Sequence, residues 1–139
     1  MTRLKIRHMT SADLPAAESL RAQTGHPESS ADWQCALELS PTGCLVAESE
    51  GRLLGLTHYL FHRSTTAIAP NCYLQDLFTS AAARGKGVGR ALIEGVYERA
   101  RAAGSTRVYW QTHETNKAAM RLYDQVAKNG GFVVYSQAV

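Results

Sequence analysis

The sequence predicts one mixed α/β domain over residues 1–139. Three observations lead there. Two strand-like runs, 44–49 and 52–62, flank the turn dipeptide Glu50-Gly51, which is the pattern of a β-hairpin. Residues 88–103 place Val88, Leu92, Val96 and Ala100 in one helical stripe, with Ile93 and Tyr97 beside it. The elements follow in the order β-α-α-β-β-β-α-β-α-β, not as a run of regular βαβ units.

Each element has its own signal. Residues 4–9 alternate, with Leu4, Ile6 and His8 on one face, as in a short strand. Thr10 or Ser11 can cap a helix that has Asp13 in its first turn and Leu14, Ala17 and Leu20 on its apolar side, reaching about Thr24. "TGHPESS" (24–30) is loop by composition, and Ser30 can cap a short second helix over 31–39. After the turn "SPTG" comes the hairpin 44–62, then a connection and a strand over 71–79. Gly104 suits the end of the 88–103 helix. A strand is expected over 106–112, a helix over 117–128 ended by "NGG", and a last strand over 132–136.

Composition narrows the function classes. Hydrophobic residues make up 45% and charged residues 19%, as in a folded globular chain. A net charge of +3 is too small to argue for nucleic acid as a partner. No run approaches the ~18 apolar residues of a membrane span, and the N-terminus lacks the apolar run of a signal peptide. The three cysteines, Cys35, Cys44 and Cys72, show no zinc spacing, and their odd number argues against a disulfide framework. A cytoplasmic protein with buried thiols and no metal is therefore expected.

The stretch "RGKGVGR", Arg84 to Arg90, is the most informative. A helix N-terminus presents unpaired N–H groups and partial positive charge, and glycines before it let the backbone approach an anion. Arg84, Lys86 and Arg90 add full charges, so a phosphate or pyrophosphate site is expected. A P-loop needs Gly-Lys followed by Ser or Thr, which is absent. The dinucleotide fingerprint fails too: from Gly85 its third glycine position holds Arg90, and from Gly87 it holds Leu92.

Arg84, Gly87 and Gly89 do fit Arg-x-x-Gly-x-Gly. With "YLQDLFT" before it, "RALIEGVYERARAAG" after it, and "THETNKAAMRLYDQVAKNGGF" with Asn116 seven residues before Tyr123, the chain resembles the GNAT family of N-acetyltransferases. The resemblance is strongest over 73–132. It implies a mixed, mostly antiparallel central sheet flanked by helices, the acyl-CoA N-acyltransferase fold, and acetyl-CoA as cosubstrate. It implies that the amides of Gly85, Lys86, Gly87, Val88, Gly89 and Arg90 cradle the pyrophosphate beside the Arg84 side chain. It further implies that the backbone of Leu77, Phe78 and Thr79 pairs with the pantetheine arm, that Asn116 hydrogen-bonds the arm, and that Tyr123 protonates the departing thiolate.

The base is open at this level. Polyamine-type members typically carry glutamate where this chain has Gln75, which cannot accept the proton. Asp76 is ranked first, ahead of Glu114, His113 and a water chain. His58 and His62 alternate along one strand and read as sheet-surface residues. His26, Glu28 and Trp33, with Asp32 nearby, are candidates to hold a cationic acceptor. The reaction implied is acetyl transfer to a primary amine of a small molecule or a lysine-like acceptor, by direct attack in a ternary complex. A non-catalytic acyl-CoA-binding module on the same fold is the alternative. Family members often dimerise, and the chain ends soon after the expected last strand, so a homodimer is also expected.

Overall fold

The computed structural model describes residues 3–24 and 42–139. The expected 31–39 helix and the acceptor candidates His26, Glu28 and Trp33 lie outside the described residues. Five strands form one sheet in the order of the chain: β1 (Lys5–His8), β2 (Thr42–Ser49), β3 (Arg52–His62), β4 (Asn71–Thr79) and β5 (Val108–Tyr109). The first four pair antiparallel, and β5 joins β4 in parallel. Helix α1 (Leu14–Thr24) covers one face. Helices α2 (Val88–Ala102) and α3 (Lys117–Val126) belong to the other. The mixed, mostly antiparallel sheet expected from the sequence is present.

Strand alternation sorts the core into two layers. Cys44, Val46, Leu56 and Phe78 meet Ala17 and Leu20 of α1. Leu45, Ala47, Tyr59, Cys72 and Leu74 meet Leu92, Ile93 and Val96 of α2. The α2 stripe read from the sequence is buried at Val88, Leu92, Ile93, Val96 and Ala100. Gly95 lets that helix sit close: a Cβ there would lie 3.0 Å from Ile6 Cγ2 and 3.1 Å from Leu45 Cδ1.

The entry to α1 is fixed electrostatically. Arg7 grips Asp13 with two hydrogen bonds, at 2.8 and 2.9 Å, and also reaches Glu48 at 3.0 Å. The Asp13 carboxylate accepts from the Thr10 N–H at 2.8 Å, so one acidic residue ties the start of the helical segment to β1. Residues 11–13 form a 3-10 turn ahead of the α-helix.

Two expectations are corrected. The strand over 106–112 shrinks to Val108–Tyr109. The strand over 132–136 does not form, and Phe132, Val133, Val134 and Tyr135 are exposed. The second has a physical reason: a strand needs a hydrogen-bonding neighbour, and these residues meet none among the described residues.

Candidate active site

The shortness of β5 is what makes a site. β4 and β5 pair only at Cys72↔Val108 and Tyr73↔Tyr109. β4 then runs on to Thr79 with β3 on one side and, among the described residues, no strand on the other. Near the divergence the register of β3 and β4 shifts: His58 faces Asp76, but Tyr59 faces Leu74. Gln75 is the extra residue of this bulge and is exposed. A bulge bends its strand, and here it lies two residues past the last β5 contact.

Alternation decides which backbone groups face the gap. Ser80 N–H donates to Leu54 O at 2.8 Å, toward β3. The Phe78 N–H therefore also points to β3, and the N–H groups of Leu77 and Thr79 point into the gap. The Phe78 side chain is buried on the α1 side. Of the three residues expected to meet the arm, Leu77 and Thr79 offer donors there.

The glycine stretch follows a short 3-10 turn at Ala81–Ala83. Its glycines have two different jobs. Gly85 and Gly87 have φ of 77° and 79°, the left-handed region that side chains resist, and a Cβ on either would meet nothing within 4 Å. Gly89 lies in the first turn of α2, where a Cβ would be 3.3 Å from Leu122 Cδ2, 3.8 Å from Leu77 Cδ2 and 3.9 Å from Thr79 Oγ1. The first serves backbone shape and the second close approach of α2, α3 and β4. The Lys86 N–H, expected from the sequence to face the anion, instead donates to Ala83 O at 3.3 Å, closing the turn; Ala91 N–H is the first to find a helical acceptor, Gly87 O at 3.0 Å, so the amides of Gly85 and residues 87–90 are left for an anion. The side chains of Arg84 and Lys86 are exposed, while Arg90 hydrogen-bonds Gln125 of α3. The arrangement fits a pyrophosphate group with an extended arm: donors at the helix start, and a free strand edge leading from them.

Asn116 and Tyr123 come from the start and the middle of the α3 segment. Asn116 precedes α3 but does not cap it with its side chain. Its amide instead donates to Thr112 Oγ1 at 3.2 Å, three residues past the end of β5. Tyr123 packs on the α2 side of the core, its ring edge-on to Trp110 with centroids 5.4 Å apart. Burial pushes its phenol above the ordinary value, so it carries its proton at neutral pH.

Asp76 lies on the opposite face. Its Oδ1 accepts from His58 Nδ1 at 2.7 Å and from the His58 backbone N–H at 3.1 Å. Both side chains are about nine-tenths buried, at 10% and 13% exposure. His58 is thus not the sheet-surface residue expected from alternation alone. Its link to Asp76 spans 18 residues and becomes visible only with the strand register in hand. Cys44 sits on the other side of His58 in the same row. Burial pushes its thiol well up, so it is a neutral filler and not a nucleophile. Glu114 and His113 are exposed in the loop before α3, where His113 Nδ1 meets Thr115 Oγ1 at 2.7 Å. No group of three or more His, Cys, Asp or Glu residues is placed to hold a metal ion among the described residues. No helix among them is long and apolar enough to cross a membrane.

Comparison with known proteins gives one consistent answer. The model of the acetyltransferase (GNAT) family matches residues 6–127. The D-amino-acid N-acetyltransferase HPA3 of Saccharomyces cerevisiae is 41% identical over 96 residues, which cover 68% of this chain and 60% of that protein. The uncharacterized N-acetyltransferase YhfO of Bacillus subtilis is 32% identical over 101 residues, covering 71% of this chain and 68% of that one. Among solved structures, the aminoglycoside N-acetyltransferase AAC(6')-Iy in complex with CoA superposes with a TM-score of 0.86 at 20% identity, covering 99% of this chain and 96% of that one. The ribosomal-protein-alanine N-acetyltransferase of Brucella melitensis superposes with a TM-score of 0.85 at 17% identity, covering 99% and 100%. At such identities the two structures share the fold.

Proposed function

Because this chain belongs to the GNAT acetyltransferase family, we propose that it is an acetyl-CoA-dependent N-acetyltransferase acting on a primary amine of a small molecule. The observation that carries the reading is the gap between β4 and β5, with the glycine-shaped start of α2 at its end. A strand edge with free donors suits an amide-bearing arm, and helix-start amides suit its pyrophosphate. The yeast relative is named for D-amino acids and a structural neighbour for aminoglycosides, so small amines come before lysine side chains as acceptors.

Bound acetyl-CoA supplies a thioester as acyl donor. The protein's part is binding, alignment and proton handling. The amides of Gly85 and residues 87–90, with the side chains of Arg84 and Lys86, hold the pyrophosphate. Leu77 and Thr79 donate toward the arm, and the Leu77 N–H polarises the acyl carbonyl. Asn116 hydrogen-bonds the arm from the β5 side. Tyr123 gives its proton to the departing sulfur. Asp76 supplies negative charge on the α1 face, where the amine enters. His26, Glu28 and Trp33 belong by sequence to the acceptor side. We place the protein in the cytoplasm and expect it to work as a homodimer.

Release of the coenzyme A thiol in the presence of polyamines, free D- and L-amino acids, aminoglycosides and lysine peptides tests the reading. Acceleration by one amine class is expected. Tight acetyl-CoA binding without acceleration by any class would favour a binding module instead.

A further inference from the structure

The strand expected over 132–136 does not form in this chain's own sheet, and the sheet has an edge that could take it. We propose that residues 132–136 of each copy pair with the outer edge of β5 in a second copy, so that two chains exchange strands. This rests on the homodimer expectation above and names its surface. It does not depend on the acetyl-transfer chemistry.

The segment itself is the first observation. Phe132, Val133, Val134 and Tyr135 are consecutive large apolar residues, exposed to 92%, 76%, 62% and 94%. Aromatic and β-branched residues of this kind favour strands. No residue from 129 to 139 is charged. Strand-like segments that stay in water are ordinarily guarded by charge, and long apolar stretches without it are covered by a partner. The same lack of charge leaves nothing to hold an anionic membrane surface. The segment is also presented by a hydrogen-bonded turn. Asn129 Oδ1 accepts from the Gly131 N–H at 2.8 Å, and Gly131 has φ of 80°. The Phe132 ring lies beside Gly130, where a Cβ would be 3.4 Å from Phe132 Cδ2.

The edge is the second observation. Among the described residues the sheet ends at β5. The Cys72 N–H donates to Arg107 O at 2.9 Å, so the Arg107 carbonyl faces β4. Alternation then turns the N–H and C=O of Val108 to the outer side, where no strand among the described residues meets them. Each copy thus carries one unpaired strand-like segment and one unpaired edge. Reciprocal exchange about a two-fold axis satisfies both in both copies and leaves neither over.

The area is of the right size for two copies. A phenylalanine or tyrosine side chain buries ~150–250 Å². Phe132 and Tyr135 from two exchanged segments would cover roughly 600–1,000 Å², with about as much again on the surfaces that receive them. That reaches the ~1,200–2,000 Å² of a stable interface before the valines are counted.

The test uses the full chain. Sedimentation equilibrium of the wild-type protein at micromolar concentration should give twice the chain mass. Val134→Arg adds charge to a side chain that is largely exposed in one copy, so Tm of the isolated chain should hold while the dimer Kd rises roughly 30-fold or more. Location is read by photo-crosslinking. Unlabelled protein with p-benzoylphenylalanine in place of Tyr135 is unfolded and refolded together with nitrogen-15-labelled wild type, irradiated and digested with trypsin. Light tail peptide joined to heavy peptide 108–117 is expected. Monomeric wild-type protein overturns this proposal and the homodimer expectation together. A dimer whose Kd is unmoved by Val134→Arg overturns the exchange alone. So does a tail joined only to light peptide 108–117, which is docking on its own chain, or a tail joined only to another tail. None of these outcomes bears on acetyl transfer, which the amine panel tests separately.

Discussion

Trp110 and Tyr123 meet edge to face, 5.4 Å between ring centroids and 70° between planes, and this contact ties the half-buried Tyr123 of α3 to the residue that follows β5. The ring contact and the hydroxyl have separable roles. Tyr123→Phe keeps the former and deletes the latter. Turnover is expected to fall about 100-fold, the scale of a lost general acid, with acetyl-CoA affinity unchanged by calorimetry. Wild-type turnover would remove the hydroxyl from the chemistry.

Gly87 and Gly89 separate two kinds of glycine requirement. Gly87→Val forces a β-branched residue to φ of 79° in open space, so the loop changes shape while the core stays packed. A strain of about 1–2 kcal/mol should weaken acetyl-CoA binding roughly 5- to 30-fold, with little change in Tm. Gly89→Val instead pushes against Leu122, and should lower Tm as well as affinity. Equal Tm values for the two variants would contradict this division.

The Arg7–Asp13 pair predicts how stability depends on pH. Arg7 holds the Asp13 carboxyl below the usual aspartate value. The folded-state value is therefore lower than the unfolded one, near ~3.9. The stabilisation is fully present above that and is lost as pH falls through the lowered value. Asp13→Asn should reduce stability at neutral pH and flatten the acid limb of the urea midpoint below about pH 5. A variant curve parallel to wild type at all pH values would refute the link.

Leu92 is fully buried between α2 and the sheet. Leu92→Ala should cost about 2–5 kcal/mol, measured by urea unfolding. Gly55→Val should be worse still, because a Cβ there would lie 2.8 Å from Phe78 O and 2.9 Å from Val88 Cγ1.

Residues whose role is set by their own neighbours in sequence were legible. The strands β3 and β4 and the stripe of α2 lie where they were expected; the α2 stripe follows from burial of one helix face, while β3 is buried on both faces and reads as a continuous apolar run. The glycine stretch was legible as a loop leading into a helix, but not the division between Gly87 and Gly89, which depends on Leu122 approaching from another helix. Residues 106–112 are strand-competent throughout, yet pairing stops at Tyr109 because a strand continues only while its partner stays alongside. The bulge at Gln75 and the His58–Asp76 contact depend on register, which no single strand contains. Phe132–Tyr135 shows the same limit from the other side: β-rich composition does not make a strand without an edge to join.

The divergence of β4 from β5 leaves a slot beside the last strand of the sheet. A ligand lying along β4 would complete the hydrogen bonding there, as a guest strand. Folding and metabolite supply then become one equilibrium: ligand at 100 times its Kd adds about 2.7 kcal/mol to stability. Cellular turnover acts on the unfolded fraction, so the steady amount of this protein would rise and fall with the cell's store of activated acetyl groups.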